Sequence, residues 1–476
     1  MNREDLEPLF HPRSIALVGI TTNPKHWTRT FLDALLEFQF EGPLYLVNPR
    51  GGEIRGLKVY RRLEDIPDVI DYVISTVPAS VAPELVEACA ARGVRAIHFC
   101  TAGFSETGEE RGLRLEAELA EISRRAGVRI IGPNCMGIYC PRSRLSFDGG
   151  FPREAGPVAF IGQSGGNTIY LVRQAAQRGV RFSKVISFGN ACDLDESDFL
   201  EYLTSDPDSR ILALYVEGVK DGRRFRQTLE EAARKKVVIL LKGGVTEGGV
   251  RAVASHTGAL AGNEVAWDAL CKQSGVLRVH SLEEMVDVLV TASFLPLPRG
   301  RNVALVGHGG GASVLITDEF ERNGLRVPLL PQEVREQLLE FTPATGNILR
   351  NPIDYSQTFT EPGKLARAVE IISRWEGIDL IIGFLILGQT PWSTRGRVIQ
   401  LGDELLKAKE LISKPMAMVL EPSILPEEVR DIFSLIERFV SAQVPVYYSF
   451  ARAARAISLV LSHQERTADL LARLPH

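Results

Sequence analysis

One pattern occurs three times along the 476-residue chain and constrains its fold more than any other feature. Residues 14–19, 156–166 and 302–311 each contain a short aliphatic, β-branched run and a glycine-rich turn, and an amphipathic helical stretch follows. Strands that alternate with helices form parallel sheets, whose ligand sites lie beyond the carboxyl ends of the strands. The sequence therefore predicts an α/β protein with three doubly wound parallel-sheet units, which begin near residues 10, 155 and 300.

Two stretches interrupt this alternation and mark the joints between the units. Residues 141–153 are rich in glycine, proline and polar residues, and residues 295–300 contain two prolines, which break both helix and sheet. Residues 451–474 predict an amphipathic closing helix. The expected domains are 1–145, 146–297 and 298–476.

Charge and composition argue against several partners. The formal net charge is −4 without a basic run, so we expect no nucleic-acid partner. No apolar stretch reaches the ~18 residues that span a membrane, and the polar start is not a signal peptide. The six cysteines form no CxxC pair or Cys/His cluster, so we expect no metal site and reduced thiols in the cytoplasm.

Candidate ligand residues follow the predicted strands of the first unit. The first turn contains Gly19 and Thr21 but no complete GxGxxG pattern, so it supports a dinucleotide only weakly. The second strand ends at Asn48, Pro49 and Arg50. Hydroxyls, backbone N–H groups and a cation at such positions suit a phosphorylated ligand. Ordinary strand-to-helix turns are the alternative interpretation.

Two more turns of this unit have the same character. Val77 and Pro78 follow a strand beside several hydroxyl groups, and Asn134 lies in a glycine- and proline-containing turn at residues 132–137. An asparagine there caps a helix or contacts a ligand, and a plain tight turn is an equal alternative.

The second unit contains a predicted anion site. Ser164, Gly165 and Gly166 lie between a strand and a helix, where N–H groups at the positive helix end point outward. Residues 162–166 also match the GxSxG pattern of serine hydrolases. We disfavour that alternative because no aspartate followed by a histidine appears at the expected strand ends.

His256 is the candidate nucleophile. Its neighbours at 254–262 are too small to bury it, and Gly248 and Gly249 precede it, so we expect a mobile loop. A neutral imidazole attacks phosphorus and carries the phosphoryl group covalently. Glu217 ends a predicted buried strand, where a carboxylate is costly unless paired, and is the candidate group that orients His256. The alternatives are a solvated or core histidine and a surface glutamate near Lys220.

Several segments resemble NDP-forming acyl-CoA synthetases, especially the alpha subunit of the ADP-forming acetyl-CoA synthetases and, more distantly, that of succinyl-CoA synthetase. The resemblance covers nearly the whole chain, and the Ser-His-Thr-Gly-Ala segment is its most specific part. The matching segments are residues 11–16, 47–49, 132–137, 163–165, 187–190, 215–218, 255–262 and 351–354.

The resemblance implies a Rossmann-like CoA-binding domain followed by two flavodoxin-like domains. It implies that His256 is phosphorylated, that Glu217 hydrogen-bonds its ring, and that the 164–166 turn binds the phosphoryl group. It also implies coenzyme A contacts, to which we assign Gly19, Thr21, Asn48, Pro49, Arg50, Val77, Pro78 and Asn134. The implied reaction is acyl-CoA + ADP + phosphate ⇌ carboxylic acid + CoA + ATP, in which the histidine segment moves to a nucleotide site.

Three departures from the family pattern accompany the resemblance. Thr28, next to Trp27, replaces a glycine of the first turn, and Val245 replaces the arginine of a Lys-x-Gly-Arg segment. The third glycine turn begins at His308, where the family has Asn-Ala-Gly-Gly-Pro. No segment resembles an ATP-grasp domain, so we expect ATP/ADP and Mg²⁺ on a separate beta subunit in a heterotetramer. A CoA-binding regulatory module without turnover is the alternative function.

Overall fold

The computed structural model describes residues 3–256, 264–307, 310–345, 347–355, 363–386, 395–421 and 426–472. These residues form three sheets of six or seven strands with helices between the strands. Each sheet is parallel apart from one antiparallel edge strand, a common feature of large α/β sheets. The predicted α/β class with three doubly wound sheets is confirmed.

The first sheet is built from the amino-terminal part of the chain. Its elements are α1 (Arg3–Phe10), β1 (Ile15–Val18), α2 (Arg29–Glu37), β2 (Leu44–Val47), β3 (Gly52–Ile54), β4 (Leu57–Tyr60), β5 (Tyr72–Ser75), α3 (Ala82–Ala91), β6 (Ala96–Phe99), α4 (Glu110–Ala126) and β7 (Arg129–Ile131). The strand order is β3-β4-β2-β1-β5-β6-β7. It reverses direction between β1 and β5, and doubly wound sheets bind ligands at such a reversal.

The second sheet follows with β8 (Gly137–Tyr139), β9 (Ala155–Gly162), α5 (Gly165–Gln177), β10 (Phe182–Ser187), α6 (Glu196–Ser205), β11 (Ile211–Val216), α7 (Gly222–Lys235), β12 (Val237–Lys242), α8 (Glu247–His256), α9 (Glu264–Ser274), β13 (Leu277–Val279) and α10 (Leu282–Phe294). The strand order is β13-β12-β11-β9-β10-β8, with the reversal between β9 and β11. Strand β11 is buried along its whole length because helices cover both faces of a parallel sheet.

The third sheet comprises β14 (Val303–Gly307), α11 (Gly310–Arg322), α12 (Gln332–Leu339), β15 (Ile348–Leu349), β16 (Ile353–Asp354), α13 (Lys364–Arg374), β17 (Leu380–Ile386), α14 (Arg395–Leu411), β18 (Met416–Glu421), α15 (Pro426–Ser441), β19 (Val446–Tyr447) and α16 (Phe450–Ala472). The strand order is β15-β16-β14-β17-β18-β19. Hydrophobic side chains from β17 and β18 form much of the core of this sheet with those of α13.

The chain forms two compact units. The first comprises Met1–Ala176 and Arg181–Met285 and contains the first two sheets, and the second comprises Gln177–Val180 and Val286–His476 and contains the third. Strand β8 pairs with β10 in the second sheet, although it lies within the expected first domain. The domain bounds 1–145, 146–297 and 298–476 stay a prediction.

Candidate active site

A buried carboxylate lies where the second sheet reverses its strand order. Glu217 directly follows β11 and is only 2 % exposed. Its Oε1 accepts a hydrogen bond from the Tyr215 hydroxyl at 2.9 Å. Burial raises the pKa of Tyr215, so this hydroxyl stays a donor. The sequence predicted a buried carboxylate at this strand end, and Glu217 is buried there with the Tyr215 hydroxyl as its hydrogen-bond donor.

Gln163 connects this carboxylate segment to the predicted phosphate site. Its Oε1 accepts hydrogen bonds from the backbone N–H groups of Glu217 at 2.7 Å and Gly218 at 3.2 Å. Gln163 itself lies between β9 and α5, directly before Ser164. One side chain thus fixes the turn after β11 against the turn after β9.

A buried lysine supports the same segment from the next strand. Lys242 ends β12, and its ammonium group donates to the carbonyl oxygen of Glu217 at 2.8 Å and to that of Gly243. The ammonium nitrogen also lies 5.5 Å from the centre of the Trp267 ring on α9. Burial lowers the pKa of Lys242 to about 8, although the Glu217 charge acts in the opposite direction.

The predicted phosphate-binding turn begins a helix, as expected. Helix α5 starts at Gly165, and the Ser164 carbonyl oxygen accepts from the Thr168 N–H at 3.0 Å and its hydroxyl at 2.7 Å. The first N–H groups of a helix have no carbonyl partner within the helix and carry the positive end of its dipole. Ser164, Gly165 and Gly166 therefore form a suitable anion site.

A cavity is lined both by this turn and by Asn134, a predicted site residue that follows the last strand of the first sheet. It has a volume of about 230 Å³ and is lined by Cys100, Asn134, Cys135, Met136, Gln163, Ser164, Gly165 and Gly166. Asn134 has a positive φ of 57°, and its N–H donates to the Thr101 carbonyl at 3.0 Å. Asn134 and the 164–166 turn thus face one space.

The predicted nucleophile is only partly described. His256 is the last residue of α8, while its side chain and residues 257–263 lie outside the described part of the chain. The glycine pair Gly248–Gly249 lies in the first turn of α8, where the sequence predicts a loop. Helix α8 packs on the turn at Gly244, which has a φ of +72° and on which a Cβ would lie 2.5 Å from Val253 Cγ2. The contact between His256 and Glu217 stays a prediction.

Three strand ends of the first sheet bring together the predicted coenzyme A residues. Gly19 has a φ of +92°, and a Cβ there would lie 2.9 Å from the Val77 nitrogen, so glycine permits this close approach. The Asn48 side chain donates to the Ile20 carbonyl at 2.8 Å and joins the turns after β1 and β2. The Thr21 hydroxyl accepts from the Asn23 N–H at 3.2 Å.

The rim of this region is open to solvent. Pro49, Arg50 and Pro78 are exposed, whereas Val77 is buried and its carbonyl accepts from the Thr101 hydroxyl at 2.5 Å. The Arg50 N–H donates to Asn48 Oδ1 at 3.0 Å. Gly19, Asn48 and Val77 therefore shape the site, while the exposed residues are placed to meet a ligand.

Two of the three departures from the family pattern have distinct environments, and the third, at His308, lies outside the described residues. Thr28 is only 3 % exposed, and its hydroxyl lies 3.1 Å from His26 Nδ1, whereas Trp27 is 52 % exposed. The threonine side chain thus packs inward, and the tryptophan is the group that solvent reaches. Val245 is half-buried in the turn before α8.

Sequence reasoning missed three residues of the site: Gln163, Tyr215 and Lys242. Tyr215 lies two positions before Glu217, and a strand places such residues on the same face, so its role was open to prediction. Lys242 ends the apolar run of β12, and it pairs with Val216 of the neighbouring strand β11. The role of Gln163 depends on β9 and β11 being neighbours, which the sequence alone does not establish.

Comparison with known proteins decides the family. Residues 13–141 match the CoA binding domain family, and residues 155–292 match the succinyl-CoA ligase like flavodoxin domain family. The alpha subunit of acetate–CoA ligase (ADP-forming) II from Pyrococcus furiosus is 37% identical over 87% of this chain and 90% of that protein. The chain belongs to the ADP-forming acyl-CoA synthetase family. The resemblance inferred from the motifs is thereby confirmed.

Other members of this family of acid–thiol ligases agree in sequence and in fold. Acetate–CoA ligase (ADP-forming) I from Archaeoglobus fulgidus is 34% identical over 96% of this chain, which spans 63% of that relative. The structure of acetyl-coenzyme A synthetase 1 from Candidatus Korarchaeum cryptofilum, in complex with phosphate and ADP, superposes with a TM-score of 0.83. The two chains are 29% identical, and the match covers 99% of each. Family membership favours the ligase over the serine hydrolase alternative.

Among the described helices, none combines the length and the apolar character needed to cross a membrane. Within the same described residues, no group of three or more His, Cys, Asp or Glu side chains is placed to hold a metal ion.

Proposed function

We propose that the chain is the alpha subunit of an NDP-forming acyl-CoA synthetase that works through a phosphohistidine. The enzyme interconverts acyl-CoA, ADP and phosphate with a carboxylic acid, CoA and ATP. The observation that carries the proposal is the buried carboxylate of Glu217, a residue whose backbone N–H donates to Gln163, the residue directly before the anion-binding start of α5. This arrangement provides a phosphate site and an orienting carboxylate at one strand reversal.

The first chemical steps follow from this geometry. Phosphate held at Ser164, Gly165 and Gly166 attacks the thioester carbonyl, the C–S bond breaks, and CoA leaves with an acyl phosphate remaining. The imidazole of His256 then attacks phosphorus, the bond between phosphorus and the acyl oxygen breaks, and the carboxylate leaves. Glu217 accepts the other ring N–H of His256 and stabilises the charged ring.

Coenzyme A binds along the strand ends of the first sheet. Its phosphates meet the exposed Arg50 beside Pro49 and Pro78, while Gly19 lets the turn after β1 pack closely on the turn after β5. Asn48 and Val77 support this surface, Thr21 lies on its turn, and Asn134 faces the reacting end of the molecule. Asn134 lines the same 230 Å³ cavity as the 164–166 turn, which supports a cofactor site that reaches the phosphate site.

A second, beta subunit with an ATP-grasp fold carries ADP or ATP and Mg²⁺, and the subunits form a heterotetramer. The name of the Pyrococcus furiosus relative as an alpha subunit supports a partner chain. The Archaeoglobus fulgidus relative, which is longer and named without a subunit, supports the same division of sites. All six cysteines are free thiols, which supports a reducing cytoplasmic location.

The experiment is ATP formation from ADP, phosphate and acyl-CoA by the complex isolated with its partner. We expect His256→Asn to abolish ATP formation while isothermal titration still detects coenzyme A binding. Glu217→Gln lowers the rate by about 10- to 100-fold, as loss of an orienting partner does elsewhere. Undiminished ATP formation by His256→Asn contradicts the proposal, and equal loss of catalysis and coenzyme A binding in Glu217→Gln contradicts the orienting role.

A further inference from the structure

The cavity that contains the 164–166 turn is lined by two chemically different kinds of group. The helix start at Ser164, Gly165 and Gly166 offers N–H groups and a hydroxyl that suit an anion. The sulfur-containing side chains of Met136 and Cys100 line the same cavity and are weakly polar. A molecule that joins a phosphoryl group to a hydrocarbon group complements this lining.

Met136 is in direct contact with the anion-binding side. A Cβ on Gly165 would lie 2.8 Å from Cγ of Met136, so the methionine side chain packs on the first residue of the helix. Its backbone N–H donates to the Ser187 hydroxyl at 3.1 Å, which fixes the position of the residue. The Met136 side chain therefore lies beside the turn at which the phosphoryl group is proposed to bind.

The cysteine thiols that line the cavity are held in the protonated form. Burial raises the pKa of Cys100 to about 12 and that of Cys135 well above its usual range, so both thiols stay protonated. A buried, protonated cysteine behaves as a small hydrophobic group and not as a nucleophile. The thiols thus extend the weakly polar surface around Met136.

The cavity is small, with a volume of about 230 Å³, and it is partly open to solvent. Met136 borders the space that remains beside a phosphoryl group bound at the start of α5.

We propose that Met136 is a specificity-determining residue, whose side chain limits the length of the acyl group in the acyl phosphate held at the start of α5. This inference rests on the proposed synthetase function. It assigns to Met136 a role in substrate selection and not in the chemical steps. The groups that bind the anion are backbone N–H groups and the Ser164 hydroxyl, so a shorter side chain at position 136 changes the available length without removing an anion-binding group.

The test compares Met136→Ala, Met136→Val and the size-conserving Met136→Leu with the unsubstituted protein, each in complex with its partner subunit. The measurement is the ratio of kcat/KM for butyryl-CoA to that for acetyl-CoA, in ATP formation from ADP and phosphate. We expect Met136→Ala to raise this ratio about four-fold for each methylene newly accommodated. Met136→Val raises it less, and Met136→Leu leaves it near the original value.

The ratio is taken within one preparation, so partial loss of folded protein does not alter it. Unchanged ratios in both truncated variants, with ATP formation intact, overturn the role of Met136 and leave the proposed function standing. An unsubstituted complex that forms no ATP from any acyl-CoA overturns the proposed function itself. If Met136→Ala does not fold, the smaller truncation in Met136→Val decides the outcome.

Discussion

The first residue of α6 makes the stability of the protein depend on pH in a predictable direction. Glu196 is only 1 % exposed, and burial, with a further contribution from neighbouring Asp195, raises its pKa from 4.5 to about 7. The folded state therefore binds more protons at this site than the unfolded state between pH 4.5 and pH 7. Stability falls as pH rises through this window, and above pH 7 the buried charge costs about 3 kcal/mol at 1.36 kcal/mol per pKa unit.

Glu196→Gln removes this cost because the amide stays neutral. We expect the variant to exceed the unsubstituted protein in stability by up to about 3 kcal/mol at pH 8, and to match it near pH 4.5. The assay is guanidinium unfolding of both proteins at several pH values between 4.5 and 8. Glu84→Gln is the matched control, because Glu84 is an exposed glutamate in the first turn of α3. Its effect should stay within about 0.5 kcal/mol. A difference for Glu196→Gln that is constant with pH, or larger at low pH, refutes the reasoning.

Three further predictions concern the site. Gly166→Ala should stabilise the protein by about 0.4–1 kcal/mol, because a Cβ there meets no atom within 4 Å, whereas Gly165→Ala should destabilise it by about 1–3 kcal/mol by displacing Met136. Denaturant midpoints check this pair, and equal effects contradict it. Tyr215→Phe removes the hydroxyl that bonds Glu217 and should slow phosphoryl transfer about 10-fold, at unchanged coenzyme A affinity. Lys242 loses its charge above about pH 8. The pH profile of ATP formation should therefore fall there, and in Lys242→Arg the fall should move to higher pH; coincident profiles contradict the prediction.

The polar residues at the strand ends could be predicted because their type and their position both follow from the burial of parallel strands. Buried parallel strands are continuous apolar runs, so the polar residues that end them, such as Asn48 and Glu217, are visible in the sequence. The three glycine turns likewise mark the first parallel strand of each sheet, namely β1, β9 and β14. Strand β8 has three residues and no clear periodicity, which explains why its membership in the second sheet was not expected.

The remaining contacts depend on which strands become neighbours. Gln163 reaches the N–H groups of Glu217 and Gly218 only because β9 and β11 are adjacent. The helix at Gly248 and Gly249 shows that helix propensity alone does not decide the local structure. Each glycine disfavours a helix by only about 1 kcal/mol, and packing on Gly244 opposes that cost. The cavity at Met136 forms where two sheets pack together, and no single segment of the sequence indicates that contact.

The central claim is that His256 carries the phosphoryl group, and locating the covalent phosphate tests it most directly. The isolated complex is incubated with γ-³²P-ATP, digested, and its labelled peptide is sequenced by mass spectrometry. We predict an acid-labile, base-stable phosphate on the peptide that contains His256, and no label in His256→Ala. Label that persists in His256→Ala, or that maps to another residue, contradicts the account.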